Sequence, residues 1–408
     1  MKFRTSAIFS NPFMREIDFS NYLTYHNLVF DHMFYHTENE LSFLQNKEFV
    51  YVLMDYGKWT HTTDIFKYIK PKMLNKIRKG KCYFIFDASN EGYSPFFEFP
   101  FFDAVYHNCK EYNIDPKMVI YLSSNLKDKE NIKRYCATKN TVPIHVFPFP
   151  AFENAVLPPI ADVSTRPKQS QLKIIKNQVE EMYTGKFFSS LSRVNRPYRT
   201  MSTYFLTTSK IKDEGLVSHD VLSDGDLYAL NHLVGPMGVT KEQTAEWQKC
   251  LPLTIDRSDF RTNWAVHTDY SDLYAQTVFH IVNETHVNNH QGTALFYSEK
   301  TFRPLMLCQP FLIWGQAGCN RQLETLGYQP LDEYFDLSFD NEIDPRKRYK
   351  MLLKTIEDTC DMLRSMTREE QIEWRFKYSE TLMYNYNVLV ESRYTKTKLY
   401  NFYKTLAE

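Results

Sequence analysis

The chain has 408 residues, with 49 Lys+Arg balancing 49 Asp+Glu, and it is 43% hydrophobic and 16% aromatic. A formal charge of zero argues against a protein that holds nucleic acid mainly by long-range attraction, although a local basic cleft stays open. Abundant Tyr and Phe against 12 Gly argue against low-complexity disorder, and the length exceeds one ordinary core, so two domains are expected. The seven cysteines are odd in number and lack C-x-x-C spacing. They read as free thiols of a reducing compartment, not as a disulfide framework or a zinc ribbon. The opening "MKFRTSAIFSNPF" breaks its apolar run too early for a signal peptide, and no window approaches the length of a membrane span. A cytoplasmic protein with no membrane partner is expected.

In chain order, "FVYVLMDY" (49–56), "CYFIFDAS" (82–89), "MVIYLSS" (118–124) and "IHVFPF" (144–149) read as buried strands. Helix-like stretches at 64–80 and 101–114 lie between them. Continuous apolar strands alternating with helices predict a parallel sheet covered on both faces. The pattern breaks in "VLPPIADVSTRPKQS" (156–170), whose three prolines mark a connection between domains. A second series follows: "KFFSSLS" (186–192), a helix from about Pro197, "GLVSH" (215–219), "VFHIVNE" (278–284), a helix from about Thr301, and "FLIWG" (311–315). The tail, 345–366 and 368–407, reads as helical throughout. The fold expected is α/β, with two Rossmann-like domains facing across a cleft and C-terminal helices. The domains are 1–160, a linker at 161–185, and 186–385. A last helix at 386–408 would pack back on the first domain.

Three stretches carry chemistry. In "FYSEKTFRPLMLCQPFLIWG" (296–315), Thr301 as N-cap puts Pro304 in a first helical turn, with Glu299 and Lys300 just before the helix. Unpaired helix N–H groups, Lys300 and Arg303 then suit a diphosphate, and Glu299 suits a ribose diol. A capped helix with a surface ion pair is the plainer alternative. In "SSLSRVNRPYRT" (189–200), Arg193, Arg196 and Arg199 follow a strand as a second phosphate clamp or as a solvated basic loop with one arginine capping a neighbouring strand, and the second reading is preferred for Arg199, already inside the helix. In "FIFDASNEGYSP" (84–95), Glu91 lies past a strand's carboxyl end, where it can act as a general base or form a turn. The D-x-D spacing of Asp224 and Asp226 is the one hint of a metal site, and a turn is the preferred reading because the run is short and Gly-centred. The stretch 64–81 holds seven Lys and Arg in eighteen residues, which makes it a candidate groove wall or a solvated helix face.

Taken together, "FHIVNETH…FYSEKTFRPLMLCQPFLIWG" resembles the donor-binding motif of the α1,3-fucosyltransferases. More closely, it is similar to glycosyltransferase-like proteins of tailed phages, which share "SEKTF.P…QPF…G", an element here reading "LGYQPLDEYFDLSFD" (326–340), and an Arg-rich "SLSRVNRPYR" stretch. The resemblance implies a GT-B-like fold and transfer from a nucleoside-diphosphate sugar, UDP-linked first and GDP-linked second, without a metal or prosthetic group. It implies that Ser298, Glu299, Lys300, Thr301, Arg303, Arg193 and Arg196 hold the nucleotide sugar, with Glu299 on ribose and Lys300 and Arg193 on the diphosphate. Glu91 and Glu284 would be the catalytic carboxylates, although Gly92 and Tyr93 interrupt the family's Glu-Ser-Pro element after Glu91. The acceptor implied first is a hydroxymethylated pyrimidine, such as hydroxymethylcytosine, in double-stranded phage DNA. A surface glycan or protein acceptor, or a silent nucleotide-binding scaffold, is the alternative. The oligomeric state is left open.

Overall fold

The computed structural model describes residues 48–53, 64–66, 69, 71–88, 92, 101–148, 150, 152–153, 168–192, 194–255, 271–288 and 292–391. They form two α/β units, each built on a four-stranded parallel sheet. All eight strands of these sheets fall where apolar runs end at turn residues in the sequence.

The first unit holds β1 (Glu48–Leu53), β2 (Cys82–Ala88), β3 (Val119–Ser123) and β4 (His145–Pro148), in spatial order β1-β2-β3-β4. Every residue of β3 is buried, as a sheet covered on both faces requires. The helices between them are α1 (Pro71–Arg78), α2 (Phe101–Glu111) and α3 (Asp128–Lys139). The expected helix at 64–80 is shorter, because Pro71 cannot donate to a preceding turn and opens the helix instead. Met73, Leu74 and Ile77 of α1 enter the core, and Lys72, Arg78, Lys79 and Lys81 stay exposed. Within the basic stretch, Lys72 and Arg78 thus lie on the outer face of an amphipathic helix. An aromatic stack of Phe86, Phe101 and Tyr121 fills the core, with ring centroids 4.7 and 4.2 Å apart.

At the carboxyl end of β3 lies a buried polar knot. The Asp128 carboxylate accepts from the Ser123 hydroxyl at 2.5 Å and from the side-chain amides of Asn125 and Asn131 at 2.9 and 2.8 Å. Burial pushes its carboxyl up to about 7, against those bonds. Both amides also donate to the Thr293 carbonyl, and Leu295 N–H donates to Asn125 Oδ1. Residues 292–297 therefore belong to this unit, although they lie far along the chain. Phe296 of that segment meets Phe152 edge-on.

The second unit holds α4 (Lys168–Met182), β5 (Lys186–Leu191), α5 (Pro197–Thr208), β6 (Gly215–Ser218), α6 (Asp224–Val234), α7 (Lys241–Gln248), α8 (Ser271–Ala275) and β7 (Thr277–Asn283). After these come α9 (Glu299–Met306), β8 (Phe311–Trp314), α10 (Pro345–Arg364), α11 (Arg368–Phe376) and α12 (Ser379–Glu391). The strand order is β6-β5-β7-β8. The chain thus reverses direction across the sheet between β5 and β7, the place where open α/β sheets bind ligands at their carboxyl ends.

Two expectations are corrected here. Most of the expected linker at 161–185 is helix α4, whose Ile175 and Val179 are buried four residues apart. The tail is not one helix from 368, because it breaks after Phe376, where Tyr378 N–H donates to the Tyr334 hydroxyl. The final stretch 392–408, expected to pack back on the first domain, lies outside the described residues.

The C-terminal helices send two buried arginines under the sheet. Arg348 of α10 donates to the carbonyls of Val287, Gly315, Glu342 and Ile343 and lies over the Trp314 ring. Arg375 of α11 donates to those of Tyr274, Thr277 and Leu307. Burial draws the Arg375 guanidinium down to about 9. Six of the seven cysteines are buried free thiols, and Cys250 is exposed.

Gly92 is buried, and a Cβ there would lie 2.1 Å from the Phe296 ring. Gly92→Ala should therefore destabilise the protein by about 1–3 kcal/mol, the usual cost of overpacking. Urea unfolding measures it, and a loss under about 0.5 kcal/mol would mean that the ring moves aside freely.

Candidate functional site

The site is built at the carboxyl ends of β5 and β7. All seven residues of β7 are buried, and the strand runs straight into Glu284, 1% exposed. A carboxylate in an apolar interior must have its lone pairs filled. Glu284 accepts four hydrogen bonds: from Ser298 N–H at 3.0 Å, the Ser298 hydroxyl at 2.7 Å, the Thr301 hydroxyl at 2.6 Å and Thr285 N–H at 3.1 Å. Among the described residues no cation pairs with it.

These bonds decide where α9 begins. Ser298, not Thr301, is the N-cap, and its hydroxyl oxygen accepts from Lys300 N–H. Thr301 was expected to cap, but it is fully buried with its hydroxyl turned to Glu284. Glu299 and Lys300 therefore lie in the first turn rather than before it, and Pro304 is the sixth helical residue. Ser298 and Thr301, both expected to touch a nucleotide, face inward. The signal for this was their i, i+3 spacing, which puts two hydroxyls on one helix face behind a strand-end glutamate.

The outward side of the turn carries the charges. Lys300 Nζ lies 2.9 Å from Glu299 Oε1 and 3.2 Å from Ser298 Oγ, and both charged side chains are about a quarter exposed. Burial alone would raise the Glu299 carboxyl. The charges of Lys300 and Arg303 outweigh it and draw it down to about 2. The cluster thus holds two cations and one ionised carboxylate at the positive end of a helix dipole.

The neighbouring strand tip completes the floor. Asn283 at the end of β7 donates to the hydroxyls of Ser190 and Ser192 on the β5 side, at 2.8 and 3.1 Å. Arg199 of α5 donates to the Glu284 carbonyl and the Thr285 hydroxyl, which is the strand-capping role its position suggested. Arg196 is the exposed N-cap of α5, without a side-chain cap bond of its own. Arg193 and Glu91 lie outside the described residues. Asp224 and Asp226 open α6, where Ser223 and Asp226 form a capping box and the Asp226 carboxylate also accepts from Asn195. The D-x-D spacing is thus a helix start. Gly315 ends β8 beside this floor, and a Cβ there would lie 3.3 Å from that of Glu284.

No family model matches the chain, and no curated protein matches it. Solved structures with a similar course do exist. The N-terminal domain of Candida albicans trehalose-6-phosphate phosphatase aligns with a TM-score of 0.41 at 10% identity, over 95% of this chain and 75% of that one. The α,α-trehalose 6-phosphate synthase of Burkholderia multivorans aligns with a TM-score of 0.37 at 11% identity, over 96% and 78%. The UDP-forming synthase of Burkholderia vietnamiensis aligns with a TM-score of 0.35 at 11% identity, over 92% and 77%. Likeness at this level is no guide to activity.

Because the folded Glu299 carboxyl is drawn from 4.5 down to about 2, its stabilising contribution is present above the unfolded value and lost as pH falls through the folded one. The difference in unfolding free energy between the wild type and Glu299→Gln should therefore shrink as pH drops from about 4.5 to about 2. Urea titrations across that range measure it, and a constant difference would mean that the cations do not act on this carboxylate.

Proposed function

We propose that the protein is a glycosyltransferase that moves a sugar from a nucleoside-diphosphate sugar to an acceptor hydroxyl. The observation that carries this reading is the Glu299, Lys300 and Arg303 cluster at the N-terminus of α9, fastened at the carboxyl end of β7 beside the sheet's reversal point. A helix mouth with two cations suits a diphosphate, and an adjacent ionised carboxylate suits ribose hydroxyls. The resemblance of the same residues to a donor-binding motif supports the assignment independently of their geometry.

In this reading Lys300, Arg303 and the positive end of the α9 dipole neutralise charge on the leaving diphosphate, with Arg193 and Arg196 as a second clamp. The bond from the anomeric carbon to the phosphate oxygen breaks as the bond to the acceptor oxygen forms. The acceptor proton goes to a carboxylate, proposed as Glu91 from its place past the end of β2, and the anomeric centre inverts. The donor proposed first is a UDP-sugar and second a GDP-sugar. The acceptor proposed first is a hydroxymethylated pyrimidine in duplex DNA, supported by the phage resemblance and the exposed basic face of α1. A glycan or protein acceptor is the alternative. Among the described residues no helix is long and apolar enough to cross a membrane.

A labelled-sugar assay over UDP- and GDP-sugars, with hydroxymethylated duplex, unmodified duplex, glycan and protein acceptors, tests the reading. Transfer to hydroxymethylated but not unmodified duplex is expected. Lys300→Ala should lower turnover on the order of 100-fold or more, the scale of losing an oxyanion donor. Near-normal turnover in that variant would remove Lys300 from the mechanism.

A further inference from the structure

The Ser298 hydroxyl has one proton and two lone pairs. At 2.7 Å from Glu284 Oε2, a carboxylate oxygen that can only accept, it must donate that proton inward. Its oxygen is then left to face Lys300, and both the Lys300 N–H (3.4 Å) and the ammonium (3.2 Å) do point at it. Three groups therefore form a directed chain in which Glu284 orients Ser298 and Ser298 holds Lys300. Glu284 itself is buried, and its four acceptor bonds leave it no part facing a ligand.

We propose that Glu284 is a positioning residue: by fixing the direction of the Ser298 hydroxyl, it holds the Lys300 ammonium and the first turn of α9 in place for a phosphate group. This rests on the reading of the α9 mouth as a diphosphate site, and it replaces the expectation that Glu284 is a catalytic carboxylate. Glu284→Gln is close to isosteric but breaks the relay. Whichever way its amide turns, the nitrogen meets a backbone N–H, of Thr285 or of Ser298, so the four-acceptor pattern that fixes the Ser298 hydroxyl is lost.

Two readouts on the full chain test this. The first is calorimetric binding of UDP and of inorganic pyrophosphate. Glu284→Gln should weaken both about tenfold, the scale of one charge-assisted hydrogen bond, but less than about twofold when Lys300 is already alanine. Ser298→Ala should behave like Glu284→Gln, and Ser298→Thr, which keeps the hydroxyl, should restore binding. The second readout needs no ligand: the acetylation rate of Lys300, followed by mass spectrometry, should rise in Glu284→Gln and Ser298→Ala and stay at the wild-type level in Ser298→Thr.

Equal weakening of binding in the presence and absence of the Lys300 side chain would overturn the proposal. So would Glu284→Gln abolishing turnover with binding and acetylation unchanged, which is the signature of a base. If the wild type binds neither UDP nor pyrophosphate but the acetylation pattern holds, the diphosphate reading fails and the relay stands. Should Glu284→Gln fail to fold, the Ser298 pair carries the test alone.

Discussion

A carboxylate inside a protein must find donors for all its lone pairs or give up its charge. Glu284 meets that demand with neutral groups only, and three of the four donors come from the two residues that shape the first turn of α9. The turn is therefore fixed to the tip of β7 by direction as well as by packing. The geometry at the helix mouth follows from this: which residue caps, which side chains face out, and how Lys300 is held.

The first unit uses the same device at the end of β3. Asp128 is likewise held by neutral donors, and the knot around it seizes residues 293–295. Comparison with Glu299 shows what adjacent cations add. Burial acts upward on both carboxyls, yet one is pushed up to about 7 and the other drawn down to about 2. The difference is Lys300 and Arg303, whose charges exceed the penalty of burial. Glu299 stays ionised because it belongs to a charged cluster, which suits a surface that must handle an ionic ligand.

Much of the fold was legible in the sequence, because buried parallel strands are short apolar runs bounded by turn residues, and each of the eight strands is such a run. Boundaries were less legible. Prolines at 158, 159 and 167 suggested a connector, yet Ile175 and Val179 further on carry a helical period that the composition obscured. Pro304 suggested a helix capped by Thr301, because a proline belongs most easily in a first turn. Instead, the pull of a buried glutamate on Ser298 and Thr301 extends the helix back by three residues, around a proline in its interior. That pull is a tertiary effect, invisible to local propensity. The charged cluster was legible because lysine, arginine and glutamate at adjacent positions need no partner from elsewhere. The knot around Asp128 was not, since its members are separated by up to 170 positions.

The buried arginines have a different implication. Arg348 and Arg375 grip main-chain carbonyls, groups that every residue supplies alike. The exposed side chain at 343 can therefore change over evolutionary time without loosening the grip of Arg348 on its carbonyl. Relatives of this chain should differ at that place while keeping both guanidiniums, so that the architecture outlasts part of the spelling that first produced it.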